Sequence, residues 1–265
     1  CRRVIAGWSG WRHSPAVDDC AMRRSVKPIS LFLALLLGAC AGSERDFKDK
    51  VDEANFKLGV GYMQFGNFQV ATEKLTKALQ YNDDYPEAHN ALAVLYEEIR
   101  EYGPAETHYK RAIDSKPDYT LAKLNYARFL CMREPIRTAE GESVFEKIAA
   151  DPASAGASAA DAYAGLGLCA RQRNDPAQAE TWLRKALELD PNNTSALYAL
   201  AELSQTQNKT LQGRAFLQRY HARTRPTAQS LWLGVAIEQA SDGDSQLRRE
   251  YGVLLLSQFP NSDEA

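Results

Sequence analysis

No stretch of this chain is apolar for long enough to cross a membrane. A spanning helix needs about 18 to 20 apolar residues, and the longest greasy run, Ile29 to Ala41, falls short on a generous count. Charge of one sign is not in excess either. The net charge is −2, with 32 Lys and Arg against 34 Asp and Glu, and no extended basic run follows Ala41, so nucleic acid is not an implied partner. Histidine is scarce: beyond the first 40 residues there are His89, His108 and His221, none spaced with another His, a Cys or a carboxylate as a zinc motif requires. No metal or other cofactor is implied. Gly59, Gly61 and Gly66 superficially suggest a phosphate loop, but they lie inside a helical repeat with no strand before them. Glu97 and Glu98 read as a solvated face, and Ser241 to Asp244 as a loop. With no acid, base and nucleophile to bring together and no second domain to hold them, neither an enzyme nor a small-molecule substrate is expected.

What is present begins with LFLALLLGACAGSERD, Leu31 to Asp46. Leu31 to Leu37 is apolar all round, unlike the one-sided stripe of a surface helix. Arg23, Arg24 and Lys27 precede it, with no acidic residue between Met22 and the apolar run. A positive start, a short apolar middle and small residues at the end describe a secretory signal peptide. Leu37, Gly38, Ala39 and Cys40 together resemble the lipobox of bacterial lipoproteins, which implies cleavage before Cys40 and lipidation of its sulfur. Thiolate nucleophilicity suits the residue to that role, and more than one acyl chain makes attachment stable. The competing reading is an ordinary signal peptide with a coincidental cysteine. On the lipoprotein reading translation starts at Met22 and residues 1–21 are not part of the protein; 22–39 are the signal peptide and 40–50 a lipidated tether. About 226 residues then remain, enough for one long domain or a repeat array. Among them Cys131 and Cys169 are either a pair, as an oxidising compartment allows, or two buried free thiols.

Internal periodicity decides the fold. Leu58, Tyr62, Ala71, Leu75 and Ala78 recur as Leu92, Tyr96, Ala105, Tyr109 and Ala112, each 34 residues on. That period and those residue types are the tetratricopeptide pattern. A clear copy runs through Leu166, Gly167, Ala179, Leu183, Ala186 and Pro191. Another passes through Leu200, Ala201, Gly213, Leu217 and Tyr220. The third copy fits Gly141, Phe145 and Ile148 only with about two inserted residues, and the last, with Leu233, Gly234, Tyr251 and Leu254, is degenerate. Six repeats are expected within 51–262, near 52–85, 86–119, 120–153, 160–193, 194–226 and 227–260. The fold class is all-α: helix-turn-helix units that cannot bury their apolar faces alone and stack into a right-handed superhelix with a concave groove. Small residues such as Gly59, Ala71, Ala105 and Ala179 belong where paired helices approach closely.

In such repeats positions 2, 5, 9 and 12 of each first helix face the groove. In the first repeat these are Glu53, Phe56, Val60 and Met63, while Leu58, Gly59, Tyr62 and Phe65 form the packing stripe. One helix thus has two apolar faces. Phe56, Val60 and Met63, continued by Val94, are expected to form a hydrophobic groove for a protein segment. The alternative is that a later repeat or the tether covers them. Only Asn90 and Arg128 would suit a carboxylate clamp of the co-chaperone kind.

The segments LGVGYMQFGN (58–67), LNYARFLC (124–131), LGLCARQRND (166–175) and YGVLLLSQFPNS (251–262) resemble those of the type IV pilus biogenesis lipoproteins of the PilF/PilW pilotin family. The likeness runs along nearly the whole mature chain, with Ala127 where that family usually has glycine. It implies an outer-membrane lipoprotein, facing the periplasm, that binds secretin subunits of the PilQ kind and promotes their localisation, multimerisation and stability. It also implies a disulfide between Cys131 and Cys169. The alternative function is a general periplasmic scaffold recruiting hydrolases or envelope assembly factors.

Overall fold

The computed structural model describes residues 50–133, 137–240 and 245–265. The signal peptide, Cys40 and the tether up to residue 49 lie outside the described residues. Within the unit Phe47–Ala265, the described residues form twelve helices in six consecutive pairs. The first pair is α1, over residues 50–64, and α2, Phe68–Tyr81. Then come α3 (Pro86–Glu98) and α4 (Tyr102–Ser115), α5 (Thr120–Arg133) and α6 (Thr138–Ala150), α7 (Ala157–Gln172) and α8 (Pro176–Leu189), α9 (Thr194–Thr206) and α10 (Thr210–His221), α11 (Ala228–Ala240) and α12 (Ser245–Gln258). Lys50, expected in the tether, is already helical.

Four of the turns inside a pair, α1–α2, α3–α4, α7–α8 and α9–α10, use the same device. Gly66, Arg100, Asn174 and Asn208 have φ of 70°, 64°, 59° and 57°. The residue after each donates its N–H to the carbonyl five residues back, as Glu101 does to Tyr96 at 2.8 Å and Asp175 to Ala170 at 2.9 Å. A left-handed residue is what lets a helix end in this way and reverse within three residues. Glycine and asparagine tolerate that conformation; arginine does not, at a cost of about 1–2 kcal/mol. Arg100→Gly should therefore stabilise the protein by about 0.5–1 kcal/mol, the remainder being offset by glycine's freedom in the unfolded chain. An unchanged or lower midpoint in urea would contradict this. Two of the second helices, α2 and α8, start on side-chain caps: Asn67 accepts from the Val70 N–H at 3.3 Å and Asp175 from that of Gln178 at 3.0 Å.

Small residues let the paired helices touch. A Cβ on Gly59 would sit 2.6 Å from Leu75 Cγ, and one on Gly167 at 2.6 Å from Leu183 Cγ, while Ala71, Ala105 and Ala179 are fully buried. In the third repeat Gly141 takes the same role against the Ala127 carbonyl and Cys131, which places the inserted residues in the α5–α6 turn. In the sixth, Tyr251 packs on Gly234, but its buried companion is Leu255, 3% exposed, rather than Leu254, 38% exposed. Successive first helices α3, α5, α7, α9 and α11 also touch one another in series; the second helices form no comparable series. The first helices therefore make the shorter, inner layer of the curve. Ion pairs knit neighbouring repeats, among them Arg137 to Glu106 at 2.8 Å, Arg173 to Glu142 at 2.9 Å, Arg171 to Glu202 at 2.6 Å and Arg214 to Glu238 at 2.5 Å.

Candidate functional site

The inner face carries a cavity of about 190 Å³ where α5, α7 and α9 converge, with Leu121, Leu124 and Leu168 as apolar walls and Asn125, Arg128, Asp161 and Ser195 as polar ones. Leu121 is half exposed. These are positions 2, 5, 6 and 9 of the third and fourth repeats and position 2 of the fifth. Positions 2, 5 and 9 are groove positions by the repeat rule, and Asn125, at position 6, lies beside them. Burial raises the Asp161 carboxyl above its ordinary value, against the Asn193 amide that donates to it at 2.7 Å. Further along, Tyr198, Glu202, Gln205 and the half-exposed Trp232 line a second hollow of about 290 Å³.

The two groups suited to a carboxylate clamp are already engaged. Asn125 donates to Asn90 Oδ1 at 3.1 Å, and Arg128 Nη2 lies 3.8 Å from Glu97 Oε2. Glu97 is buried and also accepts from Arg133 Nε at 3.2 Å and the Tyr109 hydroxyl at 2.9 Å. Burial, and then the Glu97 charge, drive the Tyr109 hydroxyl far above the usual tyrosine range. This cluster joins the second repeat to the third.

The expected docking face of the first repeat is placed differently. Phe56, Val60 and Met63 are half-buried on a cluster of Ala71 and Leu75 of α2 and Ala91, Leu92 and Leu95 of α3, with the Phe56 ring tilted 5.2 Å from the Tyr85 ring, and Val94 packs on a cluster that includes Phe129 and Leu130 of the third repeat. Neighbouring helices thus cover part of each of them. The apolar side of α1 that stays open is the presumed packing stripe: Leu58 is 51% exposed and Phe65 87%, whereas Leu92, Leu166 and Leu200, the counterparts of Leu58, are at most 3% exposed. The reason is positional. A preceding helix pair buries that leucine in each later repeat, and none precedes α1 among the described residues.

Cys131 of α5 and Cys169 of α7 are joined by a disulfide, with their Cα atoms 5.2 Å apart, inside a cluster containing Ala127, Phe145, Ile148 and Leu166. His89 and His108 share an Nδ1 to Nδ1 hydrogen bond of 2.8 Å, His89 Nε2 pairs with the Asp83 carbonyl at 3.0 Å, and the Tyr96 ring stacks on His108. Burial, with His89 adding to it, lowers His108 to about 4 from 6.5. A histidine held neutral by the fold stabilises it fully above its unfolded pKa, and this contribution is lost as protons bind the unfolded chain first. Stability measured by urea denaturation should fall from about pH 6.5 to about pH 4, and His108→Gln should flatten that slope; an equal slope in the variant would refute the assignment. Among the described residues no group of three or more His, Cys, Asp or Glu is placed to hold a metal ion, and no helix is long and apolar enough to cross a membrane.

Models of the tetratricopeptide repeat match residues 62–124 and 160–193. The chain is a tetratricopeptide-repeat protein, all-α as its six pairs show. Within that class it is 27% identical over 217 residues to the type IV pilus assembly protein PilF of Pseudomonas aeruginosa, covering 82% of this chain and 84% of that one. The structure of PilW, a widely conserved type IV pilus biogenesis factor, superposes with a TM-score of 0.60 at 26% identity, covering 81% of this chain and 96% of PilW. That of Pseudomonas aeruginosa PilF does so with a TM-score of 0.57 at 28% identity, covering 82% and 96%.

Proposed function

We propose that this protein acts in type IV pilus biogenesis as a pilotin: a lipoprotein anchored through Cys40 to the outer membrane, which binds subunits of the pilus secretin and promotes their localisation, multimerisation and stability. The observation that carries the reading is the likeness to PilF, which spans 82% of this chain and 84% of PilF rather than one repeat of each. The lipobox-like Leu37 to Cys40 supports the anchor. Removing the protein should abolish secretin multimers in outer-membrane fractions and twitching motility with them, and Cys40→Ser should release it from the membrane. Undiminished multimers would sink the proposal.

The open apolar face of α1 and the hollow between α5, α7 and α9 are where a protein segment would be held, since exposed apolar surface bordered by polar groups marks interaction sites. Leu58→Glu with Phe65→Glu should reduce secretin binding tenfold or more, about 1.4 kcal/mol, while leaving the thermal midpoint unchanged. Phe56→Ser with Met63→Ser should do the reverse, lowering the midpoint through lost packing on α3. If the first pair binds secretin normally, the open face is not the docking surface.

A further inference from the structure

The outer layer of the array holds a cleft that neither the groove nor the pilotin reading uses. Between α4 and α6, over α5 and beside the turn Pro152–Ser154, lies a cavity of about 700 Å³, within the size range of small-molecule sites. Neighbouring helices here run antiparallel, so its two ends follow from the chain direction. At one end, Arg137 pairs with Glu106 at 2.8 Å, and the Tyr126 hydroxyl donates to Glu106 at 3.0 Å and accepts from Arg137 at 3.1 Å. That bridge ties α4 to α6 beyond the Tyr126 end of the cleft. The middle is apolar, formed by Ile113, Val144, Ile148 and the Tyr126 ring. At the other end the α6–α7 connection lines the cleft through Asp151, Ala153 and Ser154, and Thr120, Lys123, Lys147 and Asp118 stand there with it.

Asp151 accepts the Ala153 N–H at 2.9 Å. The two ammonium groups are the donors this end offers to an anion. An apolar slot with two ammonium groups among the polar residues at one end fits a molecule that is apolar along its length and negative at one end. We propose that this cleft binds a single acyl chain ending in a carboxylate, with the chain running between α4 and α6 toward Tyr126 and the carboxylate accepting hydrogen bonds from Lys123 and Lys147. The site is separate from the inner face, so it stands or falls independently of secretin binding.

Dodecanoate, used below its micellar concentration, is the probe, titrated calorimetrically into the full-length protein. Saturable one-to-one binding is expected, tightening about fourfold for each methylene added until the slot is full. Lys123→Gln with Lys147→Gln should weaken dodecanoate at least tenfold and leave dodecanol unaffected, Asp118→Asn should tighten dodecanoate about twofold, and Val144→Arg, at a half-exposed position, should abolish binding of both. Hydrogen exchange of the unmutated protein supplies a readout free of folding effects: dodecanoate should protect amides of α6 and the 151–154 turn and leave α7 and α9 unchanged. Absence of saturable binding, protection on the inner face instead, or equal affinity for dodecanoate and dodecanol would overturn the proposal. So would binding of an apolar peptide with no response to dodecanoate.

Discussion

Gly165→Ala should destabilise the protein by about 2 kcal/mol, although alanine is the better helix former by about 1 kcal/mol. Gly165 lies mid-helix in α7, where its missing side chain admits Phe145 of α6. A Cβ built there would lie 2.3 Å from two ring carbons, Cε1 and Cζ, and 2.7 Å from Cε2. A long flexible side chain could swing away from such a contact. A phenyl ring that is 2% exposed, among Cys131, Ile148, Ala162, Leu166 and Cys169, is rigid and cannot swing clear as a flexible chain can. The helices must move apart instead, and Gly165→Val should cost more than Gly165→Ala.

The ring and the glycine also line the inner-face hollow, so the change should disturb partner binding at that face. A double-mutant cycle separates cause from coincidence: Phe145→Leu costs stability by itself, but in its background Gly165→Ala should cost at least about 1 kcal/mol less than in the parent. A neutral or stabilising Gly165→Ala in the parent would mean that helix propensity wins and the close approach is not what holds α6 on α7.

Gly165 was not legible in the sequence, and the reason shows what a repeat pattern can and cannot convey. The repeat reading rests on positions that meet the same neighbour in every copy. Leu92, Leu166 and Leu200 are buried by the pair before them, Ala71, Ala105 and Ala179 by the partner helix, and the 34-residue period, shifted once around the third repeat, finds all of them. Contacts peculiar to one junction carry no period. The seat of Phe145 on Gly165, the Glu97 cluster and the Arg137 bridge to Glu106 are of that kind, and all of them occur around the third repeat, where the inserted residues break the register.

The first repeat failed for a related reason. Phe56, Val60 and Met63 were assigned to the groove by their position numbers, but groove positions 5, 9 and 12 face the next first helix as well as the open side. Here α3 presents Ala91, Leu92 and Leu95 to them. End effects matter as much: Leu58 holds a core position by rule and lies on an open face because the described array begins with its helix. The charged partners of the inner face were equally hidden. Arg128 looks like a free cation in the sequence, and only folding brings the buried Glu97, 31 residues earlier, within 3.8 Å of it.

Loss of the Cys131 to Cys169 bridge should have the largest effect of any single covalent change. The two cysteines are 38 residues apart, and closing a loop of that length restricts the unfolded chain by an amount worth about 4 kcal/mol on the chain-entropy model, with measured values commonly lower. In a repeat array the consequence should be local in a way it would not be in a globular domain. Stability is a sum of pair terms and neighbour interfaces, and this bridge ties α5 of the third pair to α7 of the fourth.

Unfolding of the oxidised protein should show the two halves, α1 to α6 and α7 to α12, melting together. Cys131→Ser with Cys169→Ser, or reduction with dithiothreitol, should lower the urea midpoint by an amount equivalent to about 2–4 kcal/mol and separate the transition into two phases. Hydrogen exchange should locate the weakened point at α6 and α7 rather than at the array ends. Peptide mapping without reductant should recover Cys131 and Cys169 in one linked pair. Recovery of both as free thiols would refute the bridge, and a single, equally cooperative transition in the doubly substituted protein would show that Phe145 and its neighbours couple the halves without it.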